Sequence, residues 1–277
     1  MNRILFEADE IREGVVTFDD VRAEHVLGVL HGEVGQTLKT GEVNGKIGTG
    51  EIVAIEDGRV TVRVCHDRES LKPWVDLVLA PPRPRVMKRL LPQLATMGVG
   101  RIFLVGAKKV EKDFWGATLL KTENYRPLLV DGLMQGGTSI LPTLETRRNF
   151  RKFVNEELDA LCPSSRRLVA HPYGSAATRT PERPNPRTLE QSNNPNTRTL
   201  EPSNNRTPEQ SEQSNNRTIE QSNTRTILTL AVGPEGGWTD EEVALLEAHG
   251  FARYSLGPRI LRTDTAVIAL LARLMEI

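Results

Sequence analysis

Five short apolar runs, "VDLVLA", "RIFLVGA", "RRLVAH", "ILTLAV" and "RYSLG", recur from Val75 onward with helix-patterned segments between them. Strands that read apolar throughout are buried on both faces, and the intervening helices are what cover them. The alternation predicts an α/β domain built on a parallel sheet. Pro92, inside "RVMKRLLPQLATMG", is expected to kink or split its helix, because it removes a backbone donor and crowds the preceding turn.

Residues 3–64 follow a different pattern. "RILF" and "GVVTF" are short β-type runs, and "DDVRAEHVLGVL" spaces Val21, Val26, Val29 and Leu30 for a helix. "TLKTGEVNGKIGTGEIVAIEDGRVTVRV" then gives strands separated at Asn44-Gly45 and Asp57-Gly58, dipeptides suited to type I′ hairpins. A small antiparallel barrel is the expected outcome.

Residues 175–226 are a third kind of sequence, without aromatic residues, Lys or Asp. Arg-Thr pairs begin at Arg179, Arg187, Arg198, Arg206, Arg217 and Arg225, so one theme repeats. Only Leu189, Leu200 and Ile219 offer apolar positions, too few for a stacked solenoid core. The segment reads as a disordered insertion made by tandem duplication.

The 36 basic and 36 acidic residues of the 277-residue chain cancel, so overall charge names no partner. Cys65 and Cys162 are too few for a disulfide framework and read as small buried groups. The five histidines lack HExxH or CxxC company, so no metal site is expected. No signal-peptide pattern or membrane-length apolar run occurs, and a soluble, cytoplasmic protein is expected.

The chemistry concentrates near the C-terminus. "ILTLAV" runs into "GPEGGWTDEE", where Thr239 and Glu242 have the spacing of a capping box. Gly233, Gly236 and Gly237 therefore sit past the carboxyl end of a strand, where parallel sheets bind ligands, and suggest close approach to the backbone. A second loop of the same kind follows "RYSL": "GPRILRTDTA", then the apolar helix "VIALLARLM". Two such loops can clasp one small molecule, with Arg262 giving cationic hydrogen bonds. The final helix is apolar nearly all round, so it is expected in the core, in a subunit interface, or in both.

"VGPEGGWTDEE" followed by "LGPRILRTDTA" resembles the C-terminal signature of the SPOUT-class 16S rRNA uridine-N3 methyltransferases. "RILF", "EHVLGVLHGEVGQTLKTGEVNG", "LAPPRPRVMKRLLPQLATMGVGRIFLVGAKKVEKDFW" and "HP" at 171–172 are similar to that family's other segments. The resemblance spans everything except the repeats. It implies a PUA-like RNA-binding β-barrel over 1–72 and a SPOUT domain over 73–277, interrupted at 175–226. It also implies a C-terminal trefoil knot, S-adenosyl-L-methionine as cofactor, 16S rRNA of the small subunit as substrate, and a homodimer. Knots are rare enough that composition alone would never suggest one.

Carried over by position, the cofactor pocket would involve His171 and Pro172. It would also take Gly233, Glu235, Gly236 and Gly237 from one loop, and Leu256, Gly257, Ile260 and Leu261 from the other. A uridine N3 that loses its proton leaves charge on the ring oxygens, so Arg262 is the expected anion stabiliser and Glu235 the group that orients or accepts the proton. Each has a structural reading too, Glu235 as an acceptor for backbone amides and Arg262 as an interface ion pair. RNA contact is expected from Arg83, Arg85, Lys88 and Arg89, since cations at a helix start oppose the dipole unless a phosphate is near, with Arg12 and Arg22 as further candidates. The chain departs from the family's commonest pattern at Gln93, Thr96 and Thr138, which leaves target geometry open. A ribose 2′-O-methyltransferase of the same class and a non-catalytic RNA-binding relative are the alternatives. A Rossmann GxGxxG is missing, and "VNGKIG" lacks the first glycine of a P-loop.

Overall fold

The computed structural model describes residues 2–163, 166–172 and 228–275. The repeat insertion at 175–226 lies outside the described residues.

The first sheet is formed by β1 (Ile4–Phe6), β2 (Val15–Phe18), β3 (Thr37–Glu42), β4 (Ile47–Glu56) and β5 (Arg59–Arg68), in the order β1-β3-β4-β5-β2. The pairing of β1 with β3 is parallel and the others are antiparallel. Helix α1 (Val21–Gly28) packs Ala23 and Val26 into a core with Phe6, Phe18, Ile52 and Val62. The expected barrel is therefore a half-barrel, since β1 and β2 remain edges among the described residues. The chain entering β1 turns instead to the second part of the molecule, where Asn2 and Arg3 donate backbone N–H bonds to the Met134 carbonyl.

Only one of the two expected type I′ turns forms. Asp57 and Gly58 both have positive φ, as that turn requires. At Asn44-Gly45 only Asn44 is left-handed, and four residues link β3 to β4. Asn44 is held elsewhere: its N–H donates to Ser139 O at 2.8 Å and its Oδ1 accepts from Leu141 N at 2.8 Å.

The second sheet is wholly parallel, in the order β11-β9-β10-β6-β7-β8. Its strands are β6 (Val75–Leu79), β7 (Val99–Val105), β8 (Thr143–Arg147), β9 (Arg166–Ala170), β10 (Leu228–Val232) and β11 (Ala252–Tyr254). Alternate residues face opposite ways, as the two-residue strand period demands. Leu77, Leu79, Ile102, Leu104 and Leu230 pack beneath α2 (Pro84–Thr96), α3 (Thr122–Gly136) and α7 (Thr263–Leu274). Val78, Phe103, Val105 and Ala231 pack on the other face. There they meet α4 (Phe150–Lys152), a π-helical turn (Phe153–Glu157), α5 (Leu158–Leu161) and α6 (Asp240–Ala248). Leu5 and Val43 of the half-barrel join the first of these cores.

Pro92 does not split α2, which runs unbroken through it. The helix crosses α3 closely there: a Cβ on Gly132 would overlap the Pro92 carbonyl, and Thr96 Oγ1 lies 2.9 Å from both Pro92 O and Gly132 O. Packing against α3 thus outweighs the missing hydrogen bond. Cys162 is buried as expected, whereas Cys65 is exposed.

Candidate active site

Three neighbouring strands end at one cavity of about 340 Å³, close to the lower limit of small-molecule sites. Strand β10 leads into Gly233–Trp238, and the capping box is formed: Thr239 N donates to Glu242 Oε2 at 2.8 Å while Glu242 N donates to Thr239 Oγ1 at 3.3 Å. Strand β11 leads into residues 255–262. Strand β9 ends at His171 and Pro172, tied to that second loop by His171 N to Tyr254 O at 3.0 Å and Ser255 Oγ to Pro172 O at 2.9 Å.

All ten positions expected to hold a cofactor line this one cavity: His171, Pro172, Gly233, Glu235, Gly236, Gly237, Leu256, Gly257, Ile260 and Leu261. They come from three strand ends spread over about a third of the chain, and only the sheet order unites them. Arg259 and the aromatic residues Trp238 and Tyr254 also line it. The Trp238 indole Nε1 is buried without a hydrogen-bond partner among the described residues.

The glycines of the first loop have intramolecular causes. A Cβ on Gly233 would stand 3.0 Å from Trp238 N and 3.2 Å from its indole, and Gly237 is left-handed with φ of +69°. A Cβ on Gly236 would stand 2.9 Å from Lys109 Cδ, and the Lys109 ammonium donates to Gly236 O at 2.7 Å. Sequence reading missed Lys109, which is 127 residues away in the chain. Two further ties brace the loop from outside: Glu242 Oε1 accepts from Lys108 N at 2.7 Å, and Glu235 Oε1 accepts from Arg83 N at 3.3 Å.

Arg262 stands outside the lining, between Leu261 and Thr263, which belong to it. Its side chain is 73% exposed, with Nε 3.7 Å from Asp264 Oδ1. Asp264 also meets Arg89 of α2, at 3.6 Å. One carboxylate, expected from the sequence only as a cap of the final helix, thus joins an expected RNA contact to the expected anion stabiliser.

Arg83, Arg85, Lys88 and Arg89 are exposed on the first two turns of α2, and Arg12 is exposed at the edge of the half-barrel. Arg22 does not belong to that surface. Its side chain is only 13% exposed, and its guanidinium bonds Glu10 Oε1 at 2.5 Å, Asp20 Oδ2 at 2.7 Å and Leu5 O at 2.9 Å while packing over Phe6 and Phe18. Burial works against its charge, but the hydrogen bonds to Glu10 and Asp20 prevail and raise its pKa.

Of the family departures, Gln93 is exposed, Thr96 sits in the α2–α3 crossing, and the Thr138 hydroxyl is buried without a partner among the described residues. Among the described residues no group of three or more His, Cys, Asp or Glu could hold a metal ion, and no helix is long and apolar enough to cross a membrane.

The family model for the RNA methyltransferase domain matches residues 69–200 and 189–275. The chain belongs to the RNA methyltransferase family. Among its relatives, ribosomal RNA small subunit methyltransferase E of Treponema pallidum is 28% identical over 281 aligned residues, covering 97% of this chain and 88% of the relative. The Borreliella burgdorferi protein named ribosomal RNA small subunit methyltransferase E 1 is 24% identical, covering 97% and 95%. Two solved structures share the fold of this RNA methyltransferase. Ribosomal RNA small subunit methyltransferase E from Neisseria gonorrhoeae, bound to S-adenosyl methionine, superposes with a TM-score of 0.62 at 20% identity, covering 99% of this chain and 96% of that one. A methyltransferase from Legionella pneumophila, in complex with the same cofactor, gives 0.64 at 22% identity, covering 98% and 96%.

Proposed function

We propose that this protein transfers a methyl group from S-adenosylmethionine to N3 of a uridine in 16S rRNA of the small ribosomal subunit. The observation that carries the reading is the convergence of all ten expected cofactor positions on one cavity. The cavity suits the cofactor: Tyr254, Trp238, Leu256 and Leu261 offer apolar walls, the glycine loops offer backbone polar groups, and Trp238 Nε1 is a buried donor with no acceptor among the described residues. The relatives named as small-subunit rRNA methyltransferases, and the related folds crystallised with S-adenosylmethionine, support both cofactor and substrate.

When bound, the cofactor supplies a methyl group already activated on a sulfonium, so the protein's task is chiefly to position an in-line attack. The uridine N3 loses its proton and forms the new bond to carbon as the carbon–sulfur bond breaks. Arg262, exposed beside the cavity, stabilises the anionic ring. Glu235, at the cavity wall, accepts or orients the departing proton. Its backbone bond to Arg83 brings the proton acceptor and the basic start of α2 together.

In this reading, residues 1–72 act as a PUA-like RNA-binding module beside the SPOUT domain of 73–277, and β9 to α7 form a trefoil knot. A second copy completes a homodimer, and the enzyme works in the cytoplasm. Arg12, Arg83, Arg85, Lys88 and Arg89 contact RNA phosphates. The test is to incubate unmethylated small subunits with the protein and labelled cofactor, then digest the rRNA to nucleosides. A methyl group on the uracil base is expected. A methyl group on ribose assigns the enzyme to 2′-O chemistry, and no transfer despite cofactor binding sinks the reading.

A further inference from the structure

A second cavity, of about 420 Å³, opens beyond the carboxyl ends of β7 and β8. The two cavities are neighbours: Trp238 lines the first, Thr239 the second, and the Trp238 ring packs 5.2 Å from that of Phe150, which lines the second. Lys108, Arg148 and Arg151 face this cavity together with Glu241 and Glu242.

Three cations face two carboxylates, so the cavity keeps an excess of positive charge, and neither carboxylate is tightly paired with a cation. Both Glu242 oxygens are occupied by backbone donors, Lys108 N at 2.7 Å and Thr239 N at 2.8 Å. Glu241 is 75% exposed and lies 3.8 Å from an equally exposed Arg151, a pair that water largely screens. Arg148 is held in place: it stacks over Trp115 and gives one N–H to the Trp115 carbonyl at 3.1 Å, while the residue remains exposed. Gly106 fixes the neighbouring strand ends, since a Cβ there would overlap the Arg148 carbonyl.

The sheet order supplies the direction. From the first cavity, successive strand ends along β10-β6-β7-β8 present Glu235, Arg83, Lys108 and Arg148. At about 4.8 Å per strand, the step from β10 to β8 is roughly 14 Å. Three cations therefore mark a track leading away from the cofactor cavity. An open cavity edged by exposed cations suits a chain of phosphates rather than an enclosed ligand.

We propose that Lys108, Arg148 and Arg151 form a subsite for the RNA backbone flanking the target nucleotide. This rests on the reading of the protein as an RNA methyltransferase acting through the first cavity. The test compares the full-length protein with the variant Lys108→Gln/Arg148→Gln/Arg151→Gln, measuring 16S rRNA affinity between roughly 50 and 200 mM salt and S-adenosylmethionine affinity by calorimetry. Each lost phosphate contact should remove about 0.7 from the slope of log K against log salt, so the triple variant should be shallower by about 2 and bind RNA about tenfold or more weakly, with cofactor affinity unchanged. Lys108→Gln alone should remove about 0.7 and Lys108→Arg none, which keeps the test usable if the triple variant folds poorly. An unchanged RNA affinity and slope in a variant that binds cofactor overturns the subsite alone. Loss of binding to polyglutamate with RNA binding intact also overturns it, assigning the cavity to an acidic protein segment. Failure of the unaltered protein to bind 16S rRNA at all overturns the subsite and the functional reading together.

Discussion

The Lys109 side chain occupies the space that a Cβ on Gly236 would need, 2.9 Å from Lys109 Cδ, and its ammonium holds the Gly236 carbonyl at 2.7 Å. The glycine and the lysine are one device. The stem crosses the bare Cα, and the charge fixes the orientation of the peptide that follows it. A loop whose backbone polar groups are to meet a cofactor gains from having one carbonyl already committed elsewhere.

Lys109→Met keeps most of the stem and removes the charge. S-adenosylmethionine affinity should fall about three- to tenfold, the scale of an exposed charge-assisted hydrogen bond, with little change in melting temperature. Calorimetry decides it; full affinity in Lys109→Met would show that the strut is idle.

Gly236→Ala should weaken cofactor binding in the native background and do so much less beside Lys109→Ala, because the clash is with that stem. Gly237→Ala should lose about 1 to 2 kcal/mol of stability in either background, since the strain lies in its own left-handed backbone. Additive behaviour at Gly236 would count against the pairing with Lys109.

That pairing also marks what was legible in the sequence. The glycines, a strand-end and cap signal local to the sequence, pointed to a loop that lines the cavity, whereas the ten pocket positions came from the resemblance to the methyltransferase family. The reason for the glycines was not readable, because the groups that exclude a Cβ come from Trp238 and from a lysine over a hundred residues upstream. Strand β8, "TLETR", escaped notice because an edge strand is half-exposed and carries no continuous apolar run. Arg22 looked like surface charge because Glu10 meets it only after β1 and β2 are in place.

Arg262→Ala should lower the methylation rate about a hundredfold, the cost of losing one donor to a developing anion, with cofactor affinity intact because the side chain stands outside the lining. Glu235→Gln retains an acceptor for Arg83 N but cannot take a proton. Single-turnover rates against pH separate its two roles: a lost rate with an altered profile marks proton transfer, and a normal rate marks a cap.

Arg22→Met should destabilise the protein by about 2 kcal/mol, the order of a charged hydrogen bond lost in a partly buried network, and leave the salt slope of RNA binding unchanged. Burial pushes the Glu10 and Asp20 carboxyls up, but the hydrogen bonds from Arg22 overcome it and hold both below their ordinary values. Their folded pKa values are depressed, so this stability is present above about pH 4 and disappears as pH falls through the folded values. Urea unfolding at neutral and acid pH should therefore show a larger gap between native and variant at neutral pH. A flatter RNA salt slope in Arg22→Met would restore it to the RNA surface.

The last prediction concerns the apolar rim of the cofactor cavity. Helix α7 is apolar on most sides, yet only Thr263, Val267, Leu270 and Leu271 are buried, the face that turns toward the core. Ile268 and Leu274 are partly buried against the same core, whereas Ile260 is 85% exposed with Leu256 and Leu261 open beside it. Clustered apolar side chains in water mark a contact surface, and here the cluster contributes three residues to the cavity itself. A second copy covering it would both hide the apolar rim and stiffen the cofactor loop. Ile260→Asp should then shift the protein from dimer to monomer in sedimentation at micromolar concentration and weaken S-adenosylmethionine binding with it. If the native protein is already a monomer, or if Ile260→Asp stays dimeric, the partner of this rim is not another copy of the chain.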